Sequence, residues 1–300
     1  MTVRPAVPDD APAVVALRAV VYPYLVRGAA ATRRVIAGSG RVGHAAYVAE
    51  AGDRAIGWMS ACRSGSDAAV GEISLLHVHP DHRRRGVGSA LLDAAVAHLR
   101  TLGVDRLRAW VQAGSLDYAR RRGFRPSRQV RYSGLPLRPP PAQPTSPPGV
   151  RLEPLAGFEP GEFHAAYVAA ASDEPGDVPA DTTDFDRWRA DVWDDPGLDP
   201  TVSVVAVVHG AVASFTLVQV DGERMWSDMT ATVPAYRGRG LALLAKRAAL
   251  SRAAESGITM AYTANDESNA PMLAVNTRLG YRPVGAQWSC LAELISVAQA

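Results

Sequence analysis

The sequence predicts an α/β protein made of two related halves. Three observations carry that prediction. Apolar runs of strand length alternate with segments of helical period along a chain of 300 residues. A glycine-rich turn between a strand and a helix occurs twice, as His79-Pro80-Asp81-His82-Arg83-Arg84-Arg85-Gly86-Val87-Gly88 and as Thr232-Val233-Pro234-Ala235-Tyr236-Arg237-Gly238-Arg239-Gly240-Leu241-Ala242. Landmarks also recur at fixed spacing. Pro80 and Pro234, Gly86 and Gly240, and Gly103 and Gly257 are each 154 residues apart, while Gly123-Phe124-Arg125-Pro126 and Gly280-Tyr281-Arg282-Pro283 are 157 apart. An internal duplication accounts for this, with three extra residues expected in the loop Asn265–Asn269 of the second copy.

In the first half, Val3–Val7 reads as a strand, and Pro8-Asp9-Asp10 as a turn that caps a helix over Ala11–Arg18. A helix is expected around Tyr24–Ile36. Ala45–Glu50 and Ala55–Ala61 flank Ala51-Gly52-Asp53-Arg54 and read as a hairpin. Val70–Val78 is a central strand that leads into the first glycine-rich turn. The helix that follows sets Leu91, Ala95, Leu99 and Leu102 on one face and stops at Gly103. Leu107–Val111 is a strand, and a short helix around Tyr118–Arg122 ends at Gly123 before Phe124 opens another strand.

Ser133–Gly149 is rich in proline, which cannot pair in a sheet or continue a helix, and reads as a semi-rigid linker. The expected domains are therefore 1–132 and 150–300, joined by 133–149. The second half repeats the plan. Arg151–Leu155 is a strand and Gly161–Ala171 a helix. Ser172–Pro200 is acidic, with a helical piece at Phe185–Val192. Val202–Val208 and Ala211–Val218 form a hairpin about His209-Gly210, and Arg224–Val233 leads into the second turn. The helix Leu241–Ser256, the strand Met260–Ala264 and the helix Ala270–Leu279 complete the copy.

Composition narrows the function. Charged residues at 21% and hydrophobic residues at 47% describe a globular protein, and a net charge of +2 gives no bulk case for nucleic-acid binding. No apolar run reaches the ~18 residues of a membrane span, and no signal-peptide core follows Met1, so a cytoplasmic monomer or homodimer is expected. Cys62 and Cys290 fit no metal spacing and read as free thiols. Lys246 is the only lysine, and abundant Arg and Ala point to a G+C-rich bacterial genome. His77, His79 and His82 read as surface residues around a turn, with no partner that completes a zinc site.

The two glycine-rich turns carry the chemistry. A glycine adopts backbone angles that side chains forbid, and the following helix begins with N–H groups that lack an intrahelical acceptor. With the positive end of the helix dipole, these donors suit a phosphate or pyrophosphate.

Arg83-Arg84-Arg85-Gly86-Val87-Gly88 and Arg237-Gly238-Arg239-Gly240-Leu241-Ala242 fit the pattern Arg/Gln-x-x-Gly-x-Gly/Ala. On that pattern, its place after a strand, and the downstream Gly-Phe and Gly-Tyr pairs, each half resembles the GNAT superfamily of acyl-CoA-dependent N-acyltransferases. In the second half Thr230-Ala231, Lys246, Asn265, Asn269, Met272, Asn276 and Leu279-Gly280-Tyr281 add the signature of one branch. The resemblance implies two tandem domains, each a mixed sheet with helices on both faces and a cleft for acyl-CoA where neighbouring strands splay. It implies cofactor contacts along Val78, Arg83, Arg84, Arg85, Gly86, Val87, Gly88 and Ser89, and along Thr232, Val233, Arg237, Gly238, Arg239, Gly240, Leu241, Ala242, Asn265 and Asn269.

The expected activity is transfer of an acetyl group from acetyl-CoA to a primary amine of a small molecule. The amine must lose a proton and the thiolate must leave. Members of this family often use a glutamate at the place of Glu72 as base. The second half has Trp226 there and Asp228 two residues on. Many members use a tyrosine acid four residues before the glycine of the Gly-aromatic pair. Those positions hold Ala119 and Asn276, and Tyr118 is expected to point elsewhere on its helix. A thiolate can depart without that acid, since its unperturbed pKa is about 8.5. Asn276 is a candidate to hydrogen-bond cofactor or substrate. The second half is the expected seat of chemistry, and the acids of Ser172–Pro200 the expected wall of a site for a cationic amine. A non-catalytic acyl-CoA-binding protein with degenerate centres is the competing reading.

Overall fold

The computed structural model describes residues 1–38, 41–171 and 184–295. In chain order, the first half holds β1 (Thr2–Pro5), α1 (Ala11–Val21), α2 (Ala29–Ala37), β2 (Ala45–Ala51), β3 (Arg54–Arg63), β4 (Val70–Val78), α3 (Val87–Thr101), β5 (Arg106–Gln112), α4 (Leu116–Arg121) and β6 (Arg125–Pro136). The second holds β7 (Val150–Pro154), α5 (Pro160–Ala171), α6 (Phe185–Trp188), β8 (Val204–Val208), β9 (Ala211–Asp221), β10 (Arg224–Thr232), α7 (Leu241–Glu255), β11 (Met260–Asp266), α8 (Ala270–Leu279) and β12 (Arg282–Glu293). A π-helical turn, Arg189–Trp193, continues α6. The extra residues of the second copy lengthen a helix and not a loop: α8 has 10 residues against 6 in α4.

The chain divides into two compact units along a different line from the expected 1–132, 133–149 and 150–300. One unit comprises Met1–Val130 and the segment from Ala286, and the other runs from Arg131 to Gly285. In the first unit the sheet order is β1-β2-β3-β4-β5-β12. Its first four strands are antiparallel neighbours, β4 and β5 are parallel, and β12 runs antiparallel to β5 from Gln287↔Gln112 to Glu293↔Arg106. The second unit has the order β6-β11-β10-β9-β8-β7, again with one parallel pair, β10 and β11. Each unit therefore closes its sheet with a strand that belongs, by the sequence repeat, to the other copy. Strand pairing sets the division, and chain order does not.

The proline-rich stretch is accordingly no free linker. Ser133–Pro136 is strand, Leu137 is buried, and its N–H donates to Thr259 O at 2.9 Å. Further along, Ser251 Oγ on α7 donates to Pro141 O at 3.0 Å and Gln143 Nε2 to Glu255 Oε1 at 3.0 Å.

Both sheets are covered on both faces. In the first unit α3 buries Val87, Leu91, Leu92, Ala95, Val96 and Leu99 against one face. On the other, α1 and α2 pack Val14, Leu17 and Ile36 around Trp58. In the second unit β8 shows why a central strand reads as an unbroken apolar run. Val204 and Ala206 meet the α7 core, while Val205 and Val207 meet Phe163, Tyr167 and Trp188 on the α5–α6 side.

Candidate active site

Both parallel strand pairs come apart part-way along. β4 and β5 pair from Val70↔Arg106 to Ile73↔Ala109 and then part, though β4 continues to Val78. β10 and β11 pair only from Arg224↔Met260 to Trp226↔Tyr262. The cause lies next door. Against β3 the register of β4 slips at Ser74, and against β9 that of β10 slips between Ser227 and Thr230. Each slip is a β-bulge, which bends its strand and re-aims a side chain. Ser74 and Asp228 occupy equivalent places, 154 residues apart.

The strand ends feed the two cradles with the same bonds. Arg83 Nε donates to Val78 O at 3.2 Å, and Arg237 Nε donates to Thr232 O at 3.1 Å. Both helices start from a left-handed glycine, Gly86 with φ 82° and Gly240 with φ 73°. Two residues earlier the copies differ. Gly238 has φ 76°, while Arg84 holds φ 57° with a side chain, a conformation unfavourable for any residue but glycine. Val87 and Leu241 are buried in the apolar core, so only their main chain can serve a ligand. Arg85 is exposed, and Arg239 lies over the Tyr236 ring.

In the first unit the splay opens a cavity of about 510 Å³. Val78, Arg83, Arg84, Gly86, Gly88 and Ser89, six of the positions at which cofactor contacts are expected, line it together with Leu92, Val111, Ala119 and Phe124. Glu72 does not. It sits opposite Arg108 in the register, and Arg108 Nη2 donates to Glu72 Oε1 at 2.7 Å, so the expected base is half of a cross-strand ion pair. Sequence reasoning missed two lining residues. Tyr118 faces the cavity with its hydroxyl 3.4 Å from Ser89 Oγ, while Ala119 packs into the core. His77 is buried, not superficial, and its Nδ1 has no hydrogen-bond partner. Burial first, then the charges of Arg18 and Arg83, pushes its pKa down to about 3, so the cavity wall carries a neutral imidazole. Burial follows from the ladder, which pairs His77 with the buried Trp58.

The second unit treats the equivalent positions differently. Asp228 is exposed at the bulge and accepts from Trp226 Nε1 at 3.1 Å. Thr232 shares a hydrogen bond with Ser214 at 2.9 Å, and Val233 packs in the α5–α6 core. Asn269 caps α8 by accepting from Met272 N at 3.2 Å, a structural use of an expected cofactor residue. Asn276 is buried, accepts from Lys246 Nζ at 2.7 Å and donates to Asn265 Oδ1 at 2.5 Å. Both of its amide groups are thereby engaged.

The acid-rich segment contributes less free charge than its sequence implied. Asp173, Glu174, Asp177 and Asp181 lie outside the described residues. Of the rest, Asp184 caps α6 through Arg187 N at 2.8 Å, Asp191 is 3.7 Å from Arg187, and Asp194 is 3.3 Å from Arg189. Asp195 accepts from Gly197 N at 2.7 Å.

Both cradles fit the pyrophosphate end of an acyl-CoA. Each offers left-handed turn residues and the N-terminus of a 15-residue helix beside a splayed strand pair. Among the described residues no cluster suits a metal ion, and no helix is long and apolar enough to cross a membrane.

Comparison with known proteins agrees with this geometry. The profile of the Acetyltransferase (GNAT) family matches residues 22–124 and again 164–281. Proteins named mycothiol acetyltransferase are similar over most of their length. One from Catenulispora acidiphila is 28% identical, with 72% of this chain and 71% of the relative covered. Another, from Streptomyces griseus subsp. griseus, is 30% identical, with 69% and 67% covered. That from Clavibacter sepedonicus is 31% identical, with 69% and 68% covered. Among solved structures, a tandem GNAT protein from the clavulanic acid biosynthesis pathway superposes with a TM-score of 0.75 at 23% identity, covering 98% of both chains. A GCN5-related N-acetyltransferase from Sphaerobacter thermophilus gives 0.72 at 20% identity, covering 98% of this chain and 95% of that one. The twofold profile match, laid over two bulged and splayed strand pairs, makes the chain a member of the acetyltransferase (GNAT) family, built from two copies of the fold.

Proposed function

We propose that the chain moves an acetyl group from acetyl-CoA to the primary amine of a small molecule, that the second half performs the chemistry, and that the first half holds an acyl-CoA without turning it over. One observation carries the assignment: the bulge that presents a carboxylate, Asp228, in the second half presents only the hydroxyl of Ser74 in the first. The first half's own carboxylate, Glu72, is tied to Arg108.

Bound acetyl-CoA supplies a thioester carbonyl. The chain's residues supply the rest. N–H groups at the start of α7, with Arg237 and Arg239, hold the pyrophosphate. Main-chain N–H groups of β10 beyond Trp226, no longer paired with β11, are the donors available to a developing oxyanion. Asp228 takes the amine proton. Asn276 gives no proton, because both of its amide groups are occupied and it has no acidic one. The acceptor is a small-molecule amine, in keeping with relatives named mycothiol acetyltransferase. Asp191 and Asp194 near α6 pair with Arg187 and Arg189, which lowers the pull of this segment on a cationic acceptor.

Turnover of the full chain, read as thiol release against a panel of amines, tests the division of labour. Gly240→Asp is expected to abolish it and Gly86→Asp to leave most of it. The opposite pattern would move the chemistry to the first half.

A further inference from the structure

Five positions that wall the first cleft have equivalents in the second. In the first unit Leu92, Ala109, Val111, Ala119 and Phe124 are all apolar and all line the cavity. Their equivalents are Lys246, Thr263, Asn265, Asn276 and Tyr281, at the 154- and 157-residue spacings of the repeat. These side chains form one connected group. Lys246 Nζ donates to Asn276 Oδ1 at 2.7 Å and to Thr263 Oγ1 at 3.4 Å, and it stands 5.2 Å over the Tyr281 ring. Asn276 Nδ2 in turn donates to Asn265 Oδ1 at 2.5 Å, and Thr263 Oγ1 donates to Ser227 O at 3.0 Å.

Lys246 is the only lysine in a chain that otherwise uses arginine, and it is 1% exposed. Among the described residues no carboxylate pairs with it. An unpaired amine is costly to bury, and arginine, bulkier and always charged, is no substitute. The chemistry of the amine gives the group a direction. In its charged form the amine has donors and no acceptor, and Asn276 turns its oxygen towards Lys246. Its Nδ2 then faces Asn265, which must answer with Oδ1. The remaining Nδ2 of Asn265 is left as a donor, half-buried on β11 beyond the last β10–β11 pair.

We propose that Lys246 is a positioning residue of the second cleft: acting through Asn276, it fixes the amide of Asn265 so that β11 presents a hydrogen-bond donor to the arm of bound acyl-CoA. The proposal rests on the second half's holding acyl-CoA. The first cleft has no such relay, because leucine, alanine and valine stand at the three places.

Calorimetry of acetyl-CoA binding to the full chain tests this, in a Gly86→Asp background that leaves only the second cradle to be filled. Asn265→Val, which copies the first half's Val111, is expected to weaken binding about tenfold, the loss of one hydrogen bond in a shielded site. Lys246→Met is expected to weaken it equally, and the double variant no further, since the lysine acts through the asparagine. Additive losses, or unchanged binding in either single variant, would overturn the proposal. Asn265→Val alone decides if Lys246→Met does not fold, because its partly exposed site tolerates the change. Gly240→Asp in the same background is the separate control. If it leaves binding intact, the second cradle itself is wrong and the relay falls with it. If it abolishes binding while Asn265→Val does not weaken it, only the relay is wrong.

Discussion

Arg108 Nη2 donates to Glu72 Oε1 at 2.7 Å across the last paired stretch of β4 and β5, so the first half's expected base is one half of a cross-strand ion pair. Both partners are partly shielded, with side chains 15% and 22% exposed. Glu72→Gln is expected to cost on the order of 1 kcal/mol of stability and to leave kcat within about twofold of the parent. Chemical denaturation beside steady-state kinetics checks both. A hundredfold loss of kcat would return Glu72 to the mechanism.

Asp228 stands at the equivalent bulge, with the Trp226 indole N–H 3.1 Å away. Asp228→Asn is expected to lower kcat about 10²-fold, the usual scale for removing a general base. The KM for acetyl-CoA should move little, since the cradle is untouched. Single-turnover rates measured against pH would show the acid limb lost in the variant.

Arg84 holds φ 57°, where the second copy has Gly238 at φ 76°. Relief of that conformation is worth about 1 kcal/mol, partly offset by the greater freedom of glycine in the unfolded chain. Arg84→Gly should therefore hold or raise the melting temperature. In a Gly240→Asp background it should also weaken acetyl-CoA binding, because a cation is removed from the cradle. A lower melting temperature would show that the arginine makes contacts that outweigh the strain.

Stability should depend on pH at both ends. Burial, then Arg18 and Arg83, holds His77 at about 3, and burial, then Arg41 and His98, holds His44 at about 4. An unfolded histidine titrates near 6.5. Between those limits the unfolded chain binds more protons, so stability falls as pH drops below about 6.5. Burial also lowers Lys246 to about 7 against 10.5 unfolded. From about pH 7 to 10 its unfolded form again binds more protons, so its contribution rises with pH. Denaturant midpoints across pH should lose the acid slope by about one proton in His77→Leu and the alkaline slope in Lys246→Met.

Neutralising Asp184, Asp186 and Asp191 to Asn tests the acidic wall. Asparagine can still cap α6 at position 184, but the Asp191–Arg187 pair at 3.7 Å is lost. Stability should fall by less than about 1 kcal/mol, with the acceptor KM within about twofold of the parent. A large rise in KM that salt suppresses would reinstate electrostatic attraction of a cationic amine.

The sequence by itself determined the repeat, the α/β class and both glycine-rich turns at the helix starts. These are local features: Gly86 and Gly240 are glycine because their φ is positive, and the helix that follows needs no distant partner to expose its first N–H groups. The tertiary structure decided what depends on pairing. β12 closes the first unit and β6 the second because strands choose neighbours by edge and register, to which chain order is no guide. Register alone set Glu72 opposite Arg108, and a one-residue bulge alone set Asp228 where the strands part. Tyr118 lines the cavity beside Ala119 because the six-residue helix α4 turns both positions towards it. Lys246, Asn276 and Asn265 lie 30 and 11 residues apart in sequence, and only packing of α7 and α8 against β11 brings a lone amine and two amides within hydrogen-bond reach.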